Sequence, residues 1–124
     1  MSTRQLWYFA HPYAVHDEAG QCILAAEEAN FHLCCQRAAK LLSLGYLIYA
    51  PICHLHPIHR ASAELMMHTD WEFWMGIDEE YIEQCGFHGL ILAPGWRDSV
   101  GCCRERELFR GHQVKLYNDE VRFE

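Results

Sequence analysis

The sequence predicts an α/β fold in which helices cover both faces of a mostly parallel sheet. Short apolar runs alternate along the chain with longer segments whose apolar residues recur at helical spacing. Strands that alternate with helices form parallel sheets joined by right-handed crossovers. A length of 124 residues suits one such domain and is too short for two, so we expect residues 1–124 to form a single domain with one pocket.

Each predicted strand is a short apolar run that stops at a turn-forming residue. The runs are residues 6–10, 46–50, 90–93 and 114–117. A proline closely follows each of the first three, at Pro12, Pro51 and Pro94, and Asn118 follows the fourth. Beyond this last turn, residues 121–123 form a further short apolar run.

Three helices are predicted between the strands, at about residues 21–44, at 70–85 and at about 101–111. In the first, Ala26, Ala29 and Leu33 recur at helical intervals, and Gly45 supplies a stop. The segment 52–68 has scattered histidines and no clean period. We therefore expect it to be a loop with at most a short helical turn.

The composition argues against some classes of binding partner. The formal net charge of −7 and the lack of any Lys or Arg block argue against nucleic acid. No segment approaches the roughly 20 apolar residues that span a bilayer, and the N-terminus lacks the build of a signal peptide, so we expect no membrane partner and a cytoplasmic location. The seven cysteines are odd in number and form no C-x-x-C pair, which favours small buried hydrophobes in a reducing compartment.

The segment 89–105 predicts where chemistry takes place. An apolar run breaks at Pro-Gly and gives way to a charged, helix-favouring stretch. Open α/β sheets place ligands at such a junction of strand, loop and helix start. Ser99 or Asp98 can cap the new helix, which leaves N–H groups free at residues 100–103. The sequence therefore predicts a small anion-binding site beside a carboxylate.

Two acidic residues lie on apolar helix faces. Asp78 is at the centre of a stripe formed by Trp71, Trp74, Met75, Tyr81, Ile82 and Cys85. Glu105 shares a face of the third helix with Cys102, Leu108 and Phe109. Burial of a carboxylate is costly unless it is paired or used. In a structural interpretation, Asp78 pairs with an Arg or a Tyr hydroxyl, and Glu105 is a first-turn acid favoured by the helix dipole.

The joint occurrence of two inward acids beside a strand-end loop favours a chemical role. Glycosyl transfer uses an ionised carboxylate to attack or stabilise an oxocarbenium-like carbon, with a second acid to orient it or manage a proton. Glu105, near a helix N-terminus, is expected to stay ionised. This chemistry requires only side chains, so no cofactor or metal is expected.

Other patterns leave alternatives open. Residues 53–59 contain one Cys and three His, which are zinc-ligand types, but their spacing matches no structural zinc pattern, and polar loop histidines are the alternative. Adjacent thiols at 34–35 and 102–103 are weaker candidates for redox chemistry. Trp96 and Arg97 are placed either to stack on a base and meet a phosphate, or to pack their loop against the sheet.

Four segments together resemble the nucleoside 2-deoxyribosyltransferase superfamily, which includes nucleoside 5′-monophosphate N-glycosidases. They are Trp7-Tyr-Phe-Ala-His-Pro-Tyr13, Gly45-Tyr46 through Tyr49-Ala-Pro51, Trp74 through Asp78, and Asp98-Ser-Val-Gly101 with Glu105. The most specific part is Ser99-x-Gly101-x-x-x-Glu105. The resemblance covers nearly the whole chain.

The resemblance implies a flavodoxin-like (Rossmann-like) three-layer sandwich with about five strands. Glu105 would be the nucleophile that takes C1′ as the base departs, and Asp78 would orient it or assist protonation of the base. The Ser99 hydroxyl and neighbouring amides would hold a 5′-phosphate. The residues expected to bind substrate are Tyr8, Ala10, His11, Pro12, Trp96, Asp98, Ser99 and Gly101.

Two functional hypotheses follow. The first is an enzyme that cleaves or transfers at the N-glycosidic bond of a nucleoside or nucleoside 5′-monophosphate. The second is a nucleotide-binding or sensing module on the same fold without turnover, favoured because Phe87-His88-Gly89 stands where the family often has an Asp. The resemblance also implies that segment 52–68 supplies base contacts or a lid, and that the protein is at least a dimer.

Overall fold

The computed structural model describes residues 5–67 and 69–120, which form four strands and four α-helices. The strands are β1 (Leu6–Ala10), β2 (Leu47–Tyr49), β3 (Gly89–Leu92) and β4 (Gln113–Leu116). The helices are α1 (Leu24–Ser43), α2 (Pro51–Glu64), α3 (Trp71–Gln84) and α4 (Val100–Leu108), and a short 3₁₀ helix at Trp96–Asp98 precedes α4.

The sheet has the strand order β2-β1-β3-β4, and every neighbouring pair is parallel. This is a flavodoxin-like arrangement, so the predicted α/β class is confirmed. The expected number of about five strands is wrong for the described residues, which contain four. The apolar run at 121–123 lies outside them.

The protein has two hydrophobic cores, one on each face of the sheet, because side chains alternate between the two faces along each strand. Trp7 and Phe9 of β1 pack in one cluster with residues of α1, while Tyr8 and Ala10 pack in the other with Cys102 of α4. Successive side chains of a strand point to opposite faces, which explains the division. The hydroxyl of Tyr8 consequently lies on the face covered by α3 and α4.

The segment predicted as a loop at 52–68 is mostly the helix α2, so that prediction is wrong. Pro51 occupies the first turn, where its missing N–H is not needed, and Pro57 lies inside the helix. An interior proline costs about 3 kcal/mol, and contacts with α1 compensate: His56 and Arg60 both bond Glu28. Residues 52–64 of this segment therefore belong to a helix packed on α1, and residue 68 lies outside the described residues.

The predicted apolar stripe on α3 is only partly correct. Met75 is buried, and Tyr81 and Ile82 pack against the core. Trp71 is 40% exposed and Cys85 is also exposed, because the two ends of α3 extend past the sheet-facing contacts.

The cysteines do not behave as a uniform set of buried hydrophobes, contrary to the sequence expectation. Cys34 and Cys102 are buried, whereas Cys22 and Cys85 are exposed and the remaining three are intermediate. All seven are free thiols. Burial therefore depends on which helix face each one occupies.

No helix in the described ranges combines the length and the apolar character needed to cross a bilayer.

Gly89→Ala should destabilise the fold by about 1–3 kcal/mol, measured by urea unfolding. A Cβ at this position would lie 2.5 Å from the carbonyl oxygen of Gln113 and 2.6 Å from Cζ3 of Trp7, so the sheet would have to shift. Gly76→Ala in α3 is the matched control. Its Cβ meets nothing within 4 Å, so it should be neutral or stabilising by up to about 1 kcal/mol. Equal effects at the two positions would contradict the close approach at Gly89.

Candidate functional site

Glu105 is buried on the inner face of α4 and hydrogen-bonds the central strand. The hydroxyl of Tyr8 donates to its Oε2 atom. The Tyr8 ring is itself fully buried and packs against Phe87 and Phe109, with ring centroids 5.3 Å apart in both cases. Strand β1 thus fixes the orientation of the Glu105 carboxyl group.

Burial raises the pKa of Glu105 well above its usual range, and the negative charge of Asp78 raises it further. The hydrogen bond from Tyr8 opposes these effects, because it stabilises the carboxylate. The shift runs against our expectation that the helix dipole keeps Glu105 ionised. Glu105 lies beyond the first turn of α4, where the dipole effect has decayed, and it is only 6% exposed.

Asp78 reaches the same region from α3. Its Oδ1 atom is buried and has no hydrogen-bond partner in the described part of the chain. Burial raises the pKa of Asp78 to about 7, with a smaller contribution from the charge of Glu79. The structure therefore brings together the two acids that the sequence singled out, and leaves one of them with an unused acceptor.

Trp74 is a site residue that the sequence analysis assigned to the core. Its Nε1 atom is buried without a partner in the described residues, and it lies one helical turn before Asp78. The ring contacts His59 of α2 edge-on, with centroids 5.0 Å apart. The spacing of four residues between Trp74 and Asp78 was the available signal, since it places both on one face of α3.

A hydrogen-bonded network anchors the segment between β1 and α1 onto α2. The hydroxyl of Tyr13 lies 2.7 Å from Nδ1 of His56 and 3.2 Å from Nδ1 of His59. His56 Nε2 lies 2.7 Å from Glu28 Oε1. The sequence analysis missed this network because its members come from three separate segments.

Two of the three residues that were expected to bind substrate at the end of β1, Ala10 and His11, are buried instead. Ala10 is fully buried in the core, and the ring of His11 is 4% exposed. His11 Nδ1 lies 2.8 Å from the carbonyl oxygen of Pro12, and its Nε2 lies 2.9 Å from Nη1 of Arg37. Burial lowers the pKa of His11. Ala10 and His11 therefore pack the strand end, and only the half-buried Pro12 is accessible to a ligand.

Ser99 is the cap of α4, one of the two caps that the sequence allowed. Its hydroxyl oxygen accepts from the backbone N–H of Cys102 at 3.2 Å, whereas Asp98 belongs to the preceding 3₁₀ helix. The hydroxyl hydrogen of Ser99 remains able to donate. Gly101 lies in the first turn of α4. The expectation of free N–H groups at residues 100–103 is wrong for two of them, because the amides of Cys102 and Cys103 bond the hydroxyl and carbonyl oxygens of Ser99.

An open pocket of about 400 Å³ lies beside this turn. It is bordered by residues 92–98 and by Leu116 and Tyr117. Trp96 both borders this pocket and packs against the core, and the Arg97 guanidinium lies 5.3 Å from its ring centroid. Tyr8, Asp78 and Glu105 do not border the pocket, so its volume and the buried acids are separate features.

The described residues contain no group of three or more His, Cys, Asp and Glu side chains placed to hold a metal ion. In residues 53–59, His56 and His59 instead bond Tyr13. Their nitrogen atoms serve the network between the strand end and α2.

Comparison with protein families places the chain in one of them. Residues 5–119 match the family described as a domain of unknown function, DUF1937. The chain belongs to this family. The matched range covers every strand and helix described above, including Tyr8, Asp78 and Glu105. A comparison of this DUF1937 protein with curated proteins found no match.

Asp78→Asn should make the DUF1937 protein more stable at pH 8, on the order of 2 kcal/mol. An unfolded Asp titrates near pH 4, whereas Asp78 in the fold has a pKa of about 7, so wild-type stability is lost as pH rises between these values. The amide cannot ionise and escapes this loss. Urea unfolding at pH 4 and pH 8 should show the variant's advantage growing with pH.

Asp119→Asn is the control of opposite sign. Arg37 lowers the pKa of Asp119, so its charge stabilises the fold above pH 4 and the variant should be less stable at pH 8. An Asp78→Asn variant no more stable than wild type at pH 8 would contradict a costly buried acid at that position.

Proposed function

We propose that this protein cleaves or transfers at the N-glycosidic bond of a nucleoside or nucleoside 5′-monophosphate, with Glu105 as the nucleophile. The observation that carries the proposal is the buried carboxyl group of Glu105, which Tyr8 orients and whose pKa is raised by the charge of a second, half-buried acid, Asp78. Glycosyl chemistry uses two carboxyl groups at one site, one ionised and one protonated. The sequence resemblance assigns the same two residues to this chemistry.

Glu105 and Asp78 have different roles in the reaction if the pair holds a single proton. The proposed reaction uses the state in which Glu105 is ionised and Asp78 protonated. The hydrogen bond from Tyr8 stabilises the Glu105 carboxylate in that state, and protonation of Asp78 removes the negative charge that raises the pKa of Glu105, whereas burial still opposes ionisation. Asp78, with a pKa of about 7, then holds a proton that it can release near neutral pH. A single pair thus supplies both a nucleophile and an acid.

The step proceeds by displacement at C1′. Tyr8 occupies Oε2 of Glu105, which leaves Oε1 to attack C1′ as the bond from C1′ to the base nitrogen breaks. The electron pair of that bond moves to the base nitrogen, which takes the proton from Asp78. Water then releases the sugar from Glu105 in a hydrolase, or a second base does so in a transferase.

The unused polar atoms on α3 suit recognition of a base. Trp74 offers a donor at Nε1, and Asp78 offers an acceptor at Oδ1, one turn apart. The edge of a nucleobase presents acceptors and donors side by side. Buried polar atoms without partners are rare in folded proteins, so a ligand that pairs both of them gains affinity.

The start of α4 suits a 5′-phosphate. Ser99 retains a hydroxyl hydrogen to donate, and the first-turn amides near Gly101 point towards the helix start. Val100 is 74% exposed, so this turn is open to a ligand. A monophosphate is therefore our preferred substrate form.

The second candidate function is nucleotide binding without turnover. The pocket beside Trp96 and Arg97 is favourable for a base and a phosphate, yet it does not border the acids. A ligand held there would stabilise the protein without losing its base. A cytoplasmic location and assembly into at least a dimer remain predictions from the sequence.

Glu105→Gln should reduce base release roughly 10³-fold or more, because the amide cannot act as a nucleophile. The measurement is chromatographic detection of free base from a panel of nucleosides and nucleoside 5′-monophosphates. Glu107→Gln is the matched control on the same helix, since Glu107 is exposed and pairs with the exposed Arg110. It should keep wild-type activity. Equal activity of the Glu105 and Glu107 variants would exclude the proposed nucleophile, and ligand stabilisation of wild type without any base release would favour the binding module.

Tyr8→Phe should move the acidic limb of the pH–rate profile upward by roughly one unit. The hydroxyl lowers the pKa of Glu105, so its removal raises that pKa, and the ionised nucleophile appears only at higher pH. Tyr46→Phe removes a hydroxyl from the opposite face of the sheet and should leave the limb in place. A limb that stays unmoved, or moves down, in the Tyr8 variant would rule out this hydrogen bond as a control of the nucleophile.

A further inference from the structure

Three cysteine sulfur atoms meet where α1 packs on α2. Cys35 Sγ lies 3.4 Å from Cys53 Sγ, and Cys53 Sγ lies 3.7 Å from Cys34 Sγ. Cys34 and Cys35 are on α1, and Cys53 is in the first turn of α2. The proposed glycosyl site uses none of these thiols, and their contact joins residues 18 positions apart in the chain.

Cys53 has the environment of a reactive thiolate. The cap of α2 is Ala50, whose side chain makes no hydrogen bond to the first turn, so the positive end of the helix dipole is not offset there. Cys35 Sγ donates to Cys53 Sγ, and Cys53 Sγ is also in hydrogen-bond contact with Cys34 Sγ. These hydrogen bonds lower the pKa of Cys53 to about 7, against the effect of burial.

Cys35 has the complementary environment. It is partly exposed, and burial and its contact with Cys53 raise its pKa to about 11. It therefore stays protonated while Cys53 is ionised. Cys34 is fully buried behind the pair and has no route to solvent of its own.

The other cysteines lack this geometry. Cys22 and Cys85 are exposed. Cys102 and Cys103 are adjacent in sequence, but Cys103 Sγ donates to the carbonyl oxygens of Trp96 and Arg97. Burial raises the pKa of Cys102 to about 12. The adjacency of cysteines in the sequence therefore did not indicate the close pair, because Cys35 and Cys53 come from two different helices.

We propose that Cys53 and Cys35 form a peroxide-sensitive pair that closes reversibly into a disulfide between α1 and α2. The Cys53 thiolate attacks one oxygen of hydrogen peroxide, the O–O bond breaks, and the departing hydroxide takes a proton to give water and a sulfenic acid on Cys53. Cys35 then loses its proton and attacks the Cys53 sulfur. The S–O bond breaks, the second water leaves, and a disulfide remains.

The sulfur atoms of Cys35 and Cys53 lie 3.4 Å apart, and closure requires that they approach to about 2 Å. The bond would fix the start of α2 against α1. A dithiol reductant reverses the reaction.

The test treats the whole folded protein with hydrogen peroxide, followed by alkylation of free thiols, without reduction, and peptide mapping. Trypsin together with a protease that cleaves after glutamate yields a peptide 29–37, which contains Cys34 and Cys35, and a peptide 41–60, which contains Cys53. We expect these two peptides to become linked with loss of two hydrogen atoms. Dithiothreitol should separate them again.

Variants assign the partners. The link should persist in Cys34→Ala and in the exposed control Cys85→Ser, and it should disappear in Cys35→Ser and Cys53→Ser. Circular dichroism of each variant before oxidation verifies its fold. A link that disappears in folded Cys34→Ala but persists in Cys35→Ser would overturn the assigned pair. No link in wild type, or oxidation of Cys85 in preference to Cys53, would overturn the proposal.

Discussion

The hydrogen bond from Tyr8 to Glu105 joins the centre of the sheet to the helix that carries the candidate nucleophile. The two residues are 97 positions apart, and both are buried. A carboxyl group cannot lie in this core without a partner except at a large cost in free energy. The position of α4 over β1 and the chemistry of Glu105 are therefore consequences of one contact.

The two faces of the sheet carry different sets of polar groups. The face with α3 and α4 holds the two acids, the indole N–H of Trp74, which has no partner among the described residues, and an aromatic cluster around Tyr8. The face with α1 and α2 holds the network of Tyr13, His56 and Glu28 and the three close thiols. The first face accepts a cost in stability for its acids, and the second supplies well-paired contacts that anchor the fold.

Local patterns were sufficient for most of the fold. Residues 6–10 form β1 as predicted, and the other strands and three of the helices differ from the prediction by a few residues at their ends. The helix α2 was not predictable in this way, because Pro57 and scattered histidines obscure its period and its stability depends on contacts with α1. Asp78 and Glu105 stood out as charges on apolar faces. Their pKa values did not, since these depend on burial and on a partner from a distant strand.

The guanidinium group of Arg37 is paired with Asp119, which lies in the segment after β4. It lies almost wholly within the protein, where it bonds both carboxylate oxygens of Asp119, at 3.0 and 2.8 Å, and approaches the imidazole of His11. A chain shortened before Asp119 would leave the buried guanidinium of Arg37 without this carboxylate, next to His11 at the end of β1. Residues 117–119 therefore belong to the folding unit, and a fusion partner should be joined after residue 119.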